Sequence, residues 1–222
     1  MSVSEGVVTF LGSTDLFDYH DFLVIRGVEE KFYPATLDEI ETWDWDTIDL
    51  KSVPEDSPTI PCVSDVATKK GWHTEIVEED KSPIKPLADT WDDYLQGLRK
   101  KHRHELRRKI RKLSNTAPVT QYDCTPEMLP GCLPDFFRLH RLSSPEKAEF
   151  MTEARERFFT EIMEIAAERG HLKLSMLELD GVRVAACVSF DYGDAYLLYN
   201  SGYDPTHSQL SVGLVNKARA IK

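Results

Sequence analysis

The 222-residue sequence has only four cysteines and no long apolar run, and both observations narrow the class of protein to which it belongs. Cys62, Cys124, Cys132 and Cys187 form no CxxC pair and have no histidine at metal-ligand spacing, so we expect reduced thiols and no metal site. No stretch approaches the roughly 18 apolar residues of a membrane span, and residues 1–6 lack the features of a signal peptide. These absences predict a cytoplasmic protein without a transmembrane segment.

Sequence motifs of several common catalytic sites are missing as well. The chain contains no Walker loop, no GxGxxG and no HExxH, and no serine–histidine–aspartate or cysteine–histidine pairing can be identified. The composition, with 41% hydrophobic and 29% charged residues, is that of an ordinary globular protein. The sequence therefore does not predict a P-loop nucleotide hydrolase or a zinc protease.

Positive charge is scarce overall but concentrated in one segment. The net charge is −11, yet residues 99–112 hold nine bases and one acid. Arg103, Arg107 and Arg111 are spaced to share one helix face. The segment has three interpretations: a solvated face, an anion site for a phosphate-bearing ligand or tRNA, or a membrane-surface patch, which the lack of inserting aromatics disfavours.

The N-terminal region, residues 1–88, is expected to alternate short strands and helices, and a proline-containing linker at 81–86 follows them. Strands are predicted over 7–11, 47–50 and 73–77, and helices over 15–25, 36–43 and 57–71. The helix at 36–43 rests on a capping box formed by Thr36 and Glu39.

The C-terminal region, residues 89–222, shows a clear change of period. A capping box at Thr90–Asp93 predicts the start of one or two helices over 91–113, and helical pieces follow over 126–142. One helix is predicted over 145–169, with Phe158 and Ile162 facing inward and nearly fully buried, and a last helix from 211. Strands are predicted over 119–122, 172–179, 182–190 and 195–203, with a hairpin turn at Asp180-Gly181. The fold class is therefore α/β (α+β), a mixed sheet flanked by helices.

Five short segments, taken in order, carry a family resemblance. They are RHELRRKIRKL at 103–113, FRLHR at 137–141, LDGVRVAA at 179–186, YNSGYDP at 199–205 and SVGL at 211–214. Their order and spacing resemble the acetyltransferase-like domain of CelD-type polysaccharide-biosynthesis proteins, a GNAT-superfamily acyltransferase fold related to the Fem-type aminoacyltransferases. Residues 1–88 resemble the first, degenerate GNAT-like half of this group, which would make the chain a tandem of GNAT-like halves.

The resemblance implies an activity and its partners. The donor would be acetyl-CoA or another acyl-CoA, and the acceptor an amine or hydroxyl of a polysaccharide or cell-envelope precursor; no metal is implied. One alternative is Fem-type transfer from aminoacyl-tRNA. Another is a non-catalytic GNAT-like module that binds an anionic polymer through 99–112.

The resemblance also assigns donor-site residues. The strand Tyr196–Tyr203 would face the thioester of the donor, and the helix start that follows, His207–Gly213, would receive its diphosphate. Residues 209–213 do not match the usual Q/R-x-x-G-x-G/A phosphate loop. Gly213 would let the donor approach the backbone closely. The donor-site residues are Tyr199, Asn200, Ser201, Ser208, Ser211, Val212 and Gly213.

Two residues are candidates for the general base, and one strand is expected to be irregular. His140 is the first candidate because it lies in a matched segment, and Asp191 is the second. The polar and small run from Asn200 to Gly202 predicts a β-bulge or a ligand approach. Related domains continue past the last helix, so we expect a truncated domain that binds its donor weakly and shows no turnover. Strand 195–203 would then be an exposed sheet edge, open to pairing with another chain.

Overall fold

The computed structural model describes residues 1–12, 14–16 and 19–222. The chain divides into two compact units, Met1–Pro86 and Leu87–Lys222, each with its own internal packing. The architecture of helices and sheets confirms the predicted α+β fold class. Within the described residues, no helix is both long and apolar enough to cross a membrane.

The N-terminal unit is a small three-stranded sheet with two helices. Strand β2 lies between β1, to which it is antiparallel, and β3, to which it is parallel. Buried apolar side chains from β2 and both helices form its core. The elements are β1 (Ser2–Ser4), β2 (Val7–Thr9), α1 (Glu29–Glu41), β3 (Thr47–Ile48) and α2 (Thr59–Lys69).

Several predictions for this unit are wrong. Helix α1 begins seven residues before Thr36 and contains Pro34, so the apparent capping box lies inside the helix. The predicted helix 15–25 is absent from its described residues, which form a turn up to Leu16 and irregular chain from Tyr19; Phe17 lies outside the described residues. The predicted strand at 73–77 forms no strand either.

The C-terminal unit places four strands among six helices. Two short 3₁₀ helices, Pro126–Met128 and Pro205–Leu210, precede α5 and α8. The elements are α3 (Trp91–Gly97), α4 (Lys100–Thr116), β4 (Val119–Asp123), α5 (Leu129–Ser143), α6 (Pro145–Phe150), α7 (Glu153–Glu168), β5 (Leu172–Leu179), β6 (Val182–Tyr192), β7 (Ala195–Tyr203) and α8 (Val212–Ala220).

The four strands form one antiparallel sheet in the order β4-β5-β6-β7. The predicted hairpin turn is confirmed, since Asp180 and Gly181 have φ values of 49° and 76°. Strand β7 lies at the edge of this sheet, as expected. Helix α8 covers one face through Val212 and Val215, and α5 packs on the other.

The predicted helix over 145–169 is two helices, and its inward face was assigned wrongly. Thr152 caps α7 by accepting the N–H of Arg155. Because α7 begins after this cap, the helix buries a different face. Phe159 and Met163 are buried, while Phe158 and Ile162 are only half-buried. The expectation of nearly full burial for the latter pair is therefore wrong.

The expectation of four unpaired cysteines is also wrong. Cys124, just after β4, and Cys132, in the first turns of α5, form a disulfide with a Cα–Cα distance of 6.8 Å. Cys62 and Cys187 are free. Spacing alone missed the pair because the 3₁₀ turn between the two cysteines brings the start of α5 back against the end of β4.

Candidate functional site

The edge strand β7 contains a β-bulge in its middle. Val188 of β6 pairs with Asn200, but the next residue, Ser189, pairs with Leu198, so Tyr199 is an extra residue on β7. A bulge of this kind bends the strand and changes the direction of its side chains. The register therefore confirms the irregularity predicted from the polar and small run beside it.

Just after the bulge, β7 contacts the backbone of α5 directly. A Cβ atom on Gly202 would lie 2.3 Å from the His140 nitrogen and 2.4 Å from the Leu139 carbonyl carbon. Real Cβ atoms do not approach backbone so closely, so only glycine fits there. Gly202 thereby sets the spacing of strand and helix and places His140 against β7.

The side chain of His140 is buried in an aromatic environment. Only 1% of the residue is exposed, and its ring centroid lies 5.9 Å from that of Phe136 and 6.0 Å from that of Phe150. Its Nδ1 atom has no hydrogen-bond partner in the described portion of the chain. A buried polar atom without a partner is uncommon and costs stability, which makes this ring a candidate functional group.

The protonation of His140 follows from its surroundings. Burial is the largest cause that lowers its pKa, to about 4, and the charges of Lys147 and Arg141 act in the same direction. Hydrogen bonding with the Asn200 side chain and with the Lys147 backbone opposes them. The imidazole is therefore neutral at pH 7. With so low a pKa it is able to accept a proton but is a weak base.

Side chains bond the backbone of β7 beyond the bulge. The Ser201 N–H donates to Asn200 Oδ1 at 2.8 Å, and Lys147 Nζ donates to the Ser201 carbonyl oxygen. The Tyr203 N–H donates to Ser143 Oγ at 2.9 Å. The expectation that the whole strand is open to pairing with another chain is thus wrong at Ser201 and Tyr203, because side chains already occupy these groups.

The two predicted bases do not lie together. Successive strand residues face opposite sides of a sheet, so Asp191 points away from the side that Val188 shares with Asn200 and α5. Asp191 pairs with Tyr196 and is exposed. The geometry leaves His140 at the bulge and does not bring Asp191 to it.

The start of α8 has the features of an anion site. Ser211 precedes the helix with a φ of 55°, and no side chain caps the helix, so the N–H groups of its first turn remain available. Ser208 is exposed nearby. Lys112 of α4 donates from Nζ to the Gln209 carbonyl at 2.9 Å. Sequence reasoning missed Lys112 because it lies 97 residues from its contact.

Gly213 does not have the surroundings expected of it. A Cβ on Gly213 would meet the Tyr203 ring at 3.4 Å, an ordinary packing distance. Its side-chain position therefore faces the ring of Tyr203 on β7. That a larger residue here would block donor approach stays a prediction, and such a side chain would also press on Tyr203.

The basic segment on α4 is not one uniform surface. Arg103 is half-buried and donates to the Gln96 carbonyl at 3.0 Å, where it closes the end of α3. Arg107 and Arg111 are exposed. The three arginines predicted to act together therefore divide into one structural contact and two solvated charges.

Two cavities lie on the α7 side of the sheet. The first borders Tyr199 and Asn200 and measures about 10 Å³, the space of a single water. The second, about 320 Å³, runs between α7 and the β6–β7 hairpin and is lined by apolar side chains such as Ile165 and Leu197. Within the described residues, no group of three or more His, Cys, Asp or Glu side chains is suited to a metal ion.

The C-terminal unit is thus an α+β domain in which an antiparallel sheet has a bulged edge strand that leads into an uncapped helix start. Residues 100–222 match the family model described as an acetyltransferase (GNAT) domain. Because the match covers more than half of the chain, the protein belongs to this family, whose general activity is acyl transfer from a small-molecule donor to an acceptor. A search of curated proteins finds no match.

GNAT domains generally take acyl-CoA, and the residues present fit such a donor at one end more readily than at the other. The α8 start offers N–H groups, the Ser211 hydroxyl and the Lys112 charge to a diphosphate. At the other end, the backbone of Ser201 is already bonded to Asn200 and Lys147. A donor that pairs with this strand must displace those contacts.

Proposed function

We propose that the C-terminal unit transfers an acyl group from acyl-CoA to an amine or hydroxyl acceptor. The observation that carries the proposal is the bulge at Tyr199, which sets Asn200 beside the buried, neutral His140 on the strand that leads to α8. Polar groups held rigidly in a site of low polarity are suited to stabilise charge that develops during acyl transfer.

Each end of the donor has a proposed set of residues. The diphosphate is held by the first-turn N–H groups of Val212 and Gly213, with Ser208, Ser211 and Lys112 around it. The thioester end lies at Tyr199, Asn200 and Ser201. These assignments are supported by the uncapped helix start and by the bulge.

His140 is proposed to act as a neutral hydrogen-bonding group at the thioester end. Its low pKa makes it a poorer proton acceptor than an ordinary histidine, so its proposed role is to hold Asn200 in place through the hydrogen bond between the two side chains. Asp191 faces the other side of the sheet, and we assign it no role in the reaction.

The acceptor is proposed to be a polysaccharide or cell-envelope precursor. This follows from the resemblance of residues 95–222 to CelD-type domains. The N-terminal unit is proposed to be a degenerate GNAT-like half for the same reason. A cytoplasmic location remains a prediction, and the Cys124–Cys132 disulfide is a reason to test it, since such bonds are rare in that compartment.

Transfer from aminoacyl-tRNA is the second candidate, favoured by the exposed Arg107 and Arg111 on the basic helix α4. Here the polyanion itself would occupy the basic segment. A non-catalytic module that binds anionic polymers through the same segment is the third.

Thermal-shift titration with acetyl-CoA and with tRNA separates these candidates. We expect acetyl-CoA to raise the melting temperature and Lys112→Ala to weaken that shift, whereas Lys101→Ala, an exposed lysine on the same helix, should leave it unchanged. A shift with tRNA alone, abolished by changing Arg107 and Arg111 to Glu, would support aminoacyl transfer or polymer binding. The absence of any shift with acetyl-CoA would contradict the proposal.

A further inference from the structure

Lys147 holds an unusual position for a lysine. It lies in the first turn of α6, where its N–H donates to the Ser144 Oγ that caps the helix. Its side chain is half-buried, and Nζ donates to the Ser201 carbonyl, two residues past the extra residue of the bulge. Lysine ammonium groups normally stay in water, so an amine placed at this point of the strand needs a reason.

The charges around Lys147 oppose its protonation. Lys217 of α8 is a nearby positive charge, the Cys187 thiol of β6 is buried and has a raised pKa, and His140 of α5 is neutral. No salt bridge to Lys147 occurs among the residues that the structure describes. Burial first and repulsion by Lys217 second lower the pKa of Lys147, and the side chain of Cys187 acts in the opposite direction.

We propose that Lys147 is an acyl acceptor for the protein's own donor, so that the chain acylates itself at this residue. The inference rests on the proposed function, because it needs a thioester at the bulge. The Lys147 amine lies beside the proposed thioester position through its bond to the Ser201 carbonyl, and loss of one proton gives it the lone pair needed for attack.

The reaction balances without any other reactant. The lysine nitrogen forms a bond to the thioester carbonyl carbon, and the carbon–sulfur bond breaks with its electron pair on sulfur. The proton lost by nitrogen goes to the thiolate. The products are an amide on Lys147 and free thiol, and the amide N–H is still able to donate to Ser201.

Mass spectrometry with acetyl-CoA as the only added reactant tests the inference. The folded protein is incubated near pH 8, digested, and the acetylation rate of each lysine is measured. Lys147 should react several-fold faster than exposed Lys81 and Lys101, since a lowered pKa leaves more of its amine neutral. Lys147→Arg should remove one equivalent of acetyl group.

Labelling with acetic anhydride gives a readout that does not depend on donor binding. Lys217→Met removes the nearby charge, should raise the pKa of Lys147, and should slow its labelling at pH 7 several-fold. Lys101→Met, which removes a charge elsewhere, should leave that rate unchanged. Equal melting temperatures of the variants confirm that the fold is kept.

The outcomes distinguish this inference from the function on which it rests. If acetyl-CoA raises the melting temperature but Lys147 is acetylated no faster than Lys81 and Lys101, the inference is overturned and the proposed function stands. If acetyl-CoA produces no shift and no acetylation, the proposed function fails and the inference fails with it. Selective acetylation of Lys147 that slows in Lys217→Met supports both.

Discussion

The two halves of β7 differ in how far the rest of the unit covers them and bonds their backbone. Before the bulge, Leu197 and Leu198 are 47% and 51% exposed, and the strand begins at the exposed turn of the β6–β7 hairpin. After the bulge, Gly202 is buried against α5, and side chains bond the backbone of Ser201 and Tyr203. One strand thus combines a solvated arm with a rigid segment, and the groups suited to chemistry lie in the rigid segment.

The largest test of this difference is Gly202→Ala. The added methyl group would overlap the backbone of α5 at Leu139 and His140, which is unable to rotate away as a side chain would. We expect a loss of about 4 kcal/mol or more in the free energy of unfolding, measured by urea denaturation.

The matched control is Gly131→Ala, a helical glycine in α5 with nothing within 4 Å of the added atom. It should be neutral or slightly stabilising, because alanine favours helices more than glycine does. Comparable losses in the two variants would mean that the close contact between β7 and α5 does not control the stability of this segment.

A smaller effect is expected from pH. The folded protein holds the pKa of His140 near 4, whereas the unfolded chain has the ordinary value of about 6.5. The unfolded state therefore binds more protons below pH 6.5, and stability should fall as pH is lowered from 6.5 towards 4. At pH 5 the loss should be about 2 kcal/mol.

His140→Gln should remove this contribution to the pH dependence while keeping a neutral polar side chain. The measurement is the free energy of unfolding of both proteins from pH 8 to pH 4.5. Parallel curves for the two proteins would show that His140 is not the titrating group and that the rigid half of β7 is less enclosed than described.

The smallest effects compare single polar and apolar contacts on the two halves. Ser143→Ala removes the oxygen that accepts the Tyr203 N–H and should cost about 1 kcal/mol. Leu198→Ser, on the exposed half, should stay within about 0.5 kcal/mol of the original. A larger loss for Leu198→Ser, seen by thermal denaturation, would reverse the comparison.

Local signals made much of the C-terminal unit predictable. The Asp180-Gly181 turn and the Thr90 cap each act within four residues, and both are found in the structure. The inward face of α7 was not predictable from period alone, because the break at Thr152 changes the register of everything after it. In the N-terminal unit, a real capping pattern at Thr36 lies inside a longer helix, where it caps nothing.

Only some residues of the candidate site were predictable, for a physical reason. Asn200 and Gly202 carry a signal in their own strand, because small and polar residues are unusual there. The side chains that bond this strand, Lys147 and Ser143, lie 54 and 60 residues away along the chain. No residue near Lys147 or Ser143 in the sequence indicates these contacts. The same holds for Lys112 of α4, which reaches the start of α8.

The extra residue in β7 also has a consequence for how the gene is able to vary in length. Strand β7 has one residue more than β6 over the same distance, and that residue is Tyr199. Deleting its codon would leave a strand of regular pleat in which Asn200 still pairs with Val188 and Leu198 with Ser189, so every remaining side chain would keep its side of the sheet. A single in-frame deletion at Tyr199 would thus straighten β7 without changing its register, and its cost would be the loss of the Tyr199 ring, which packs against Phe159 and Phe190.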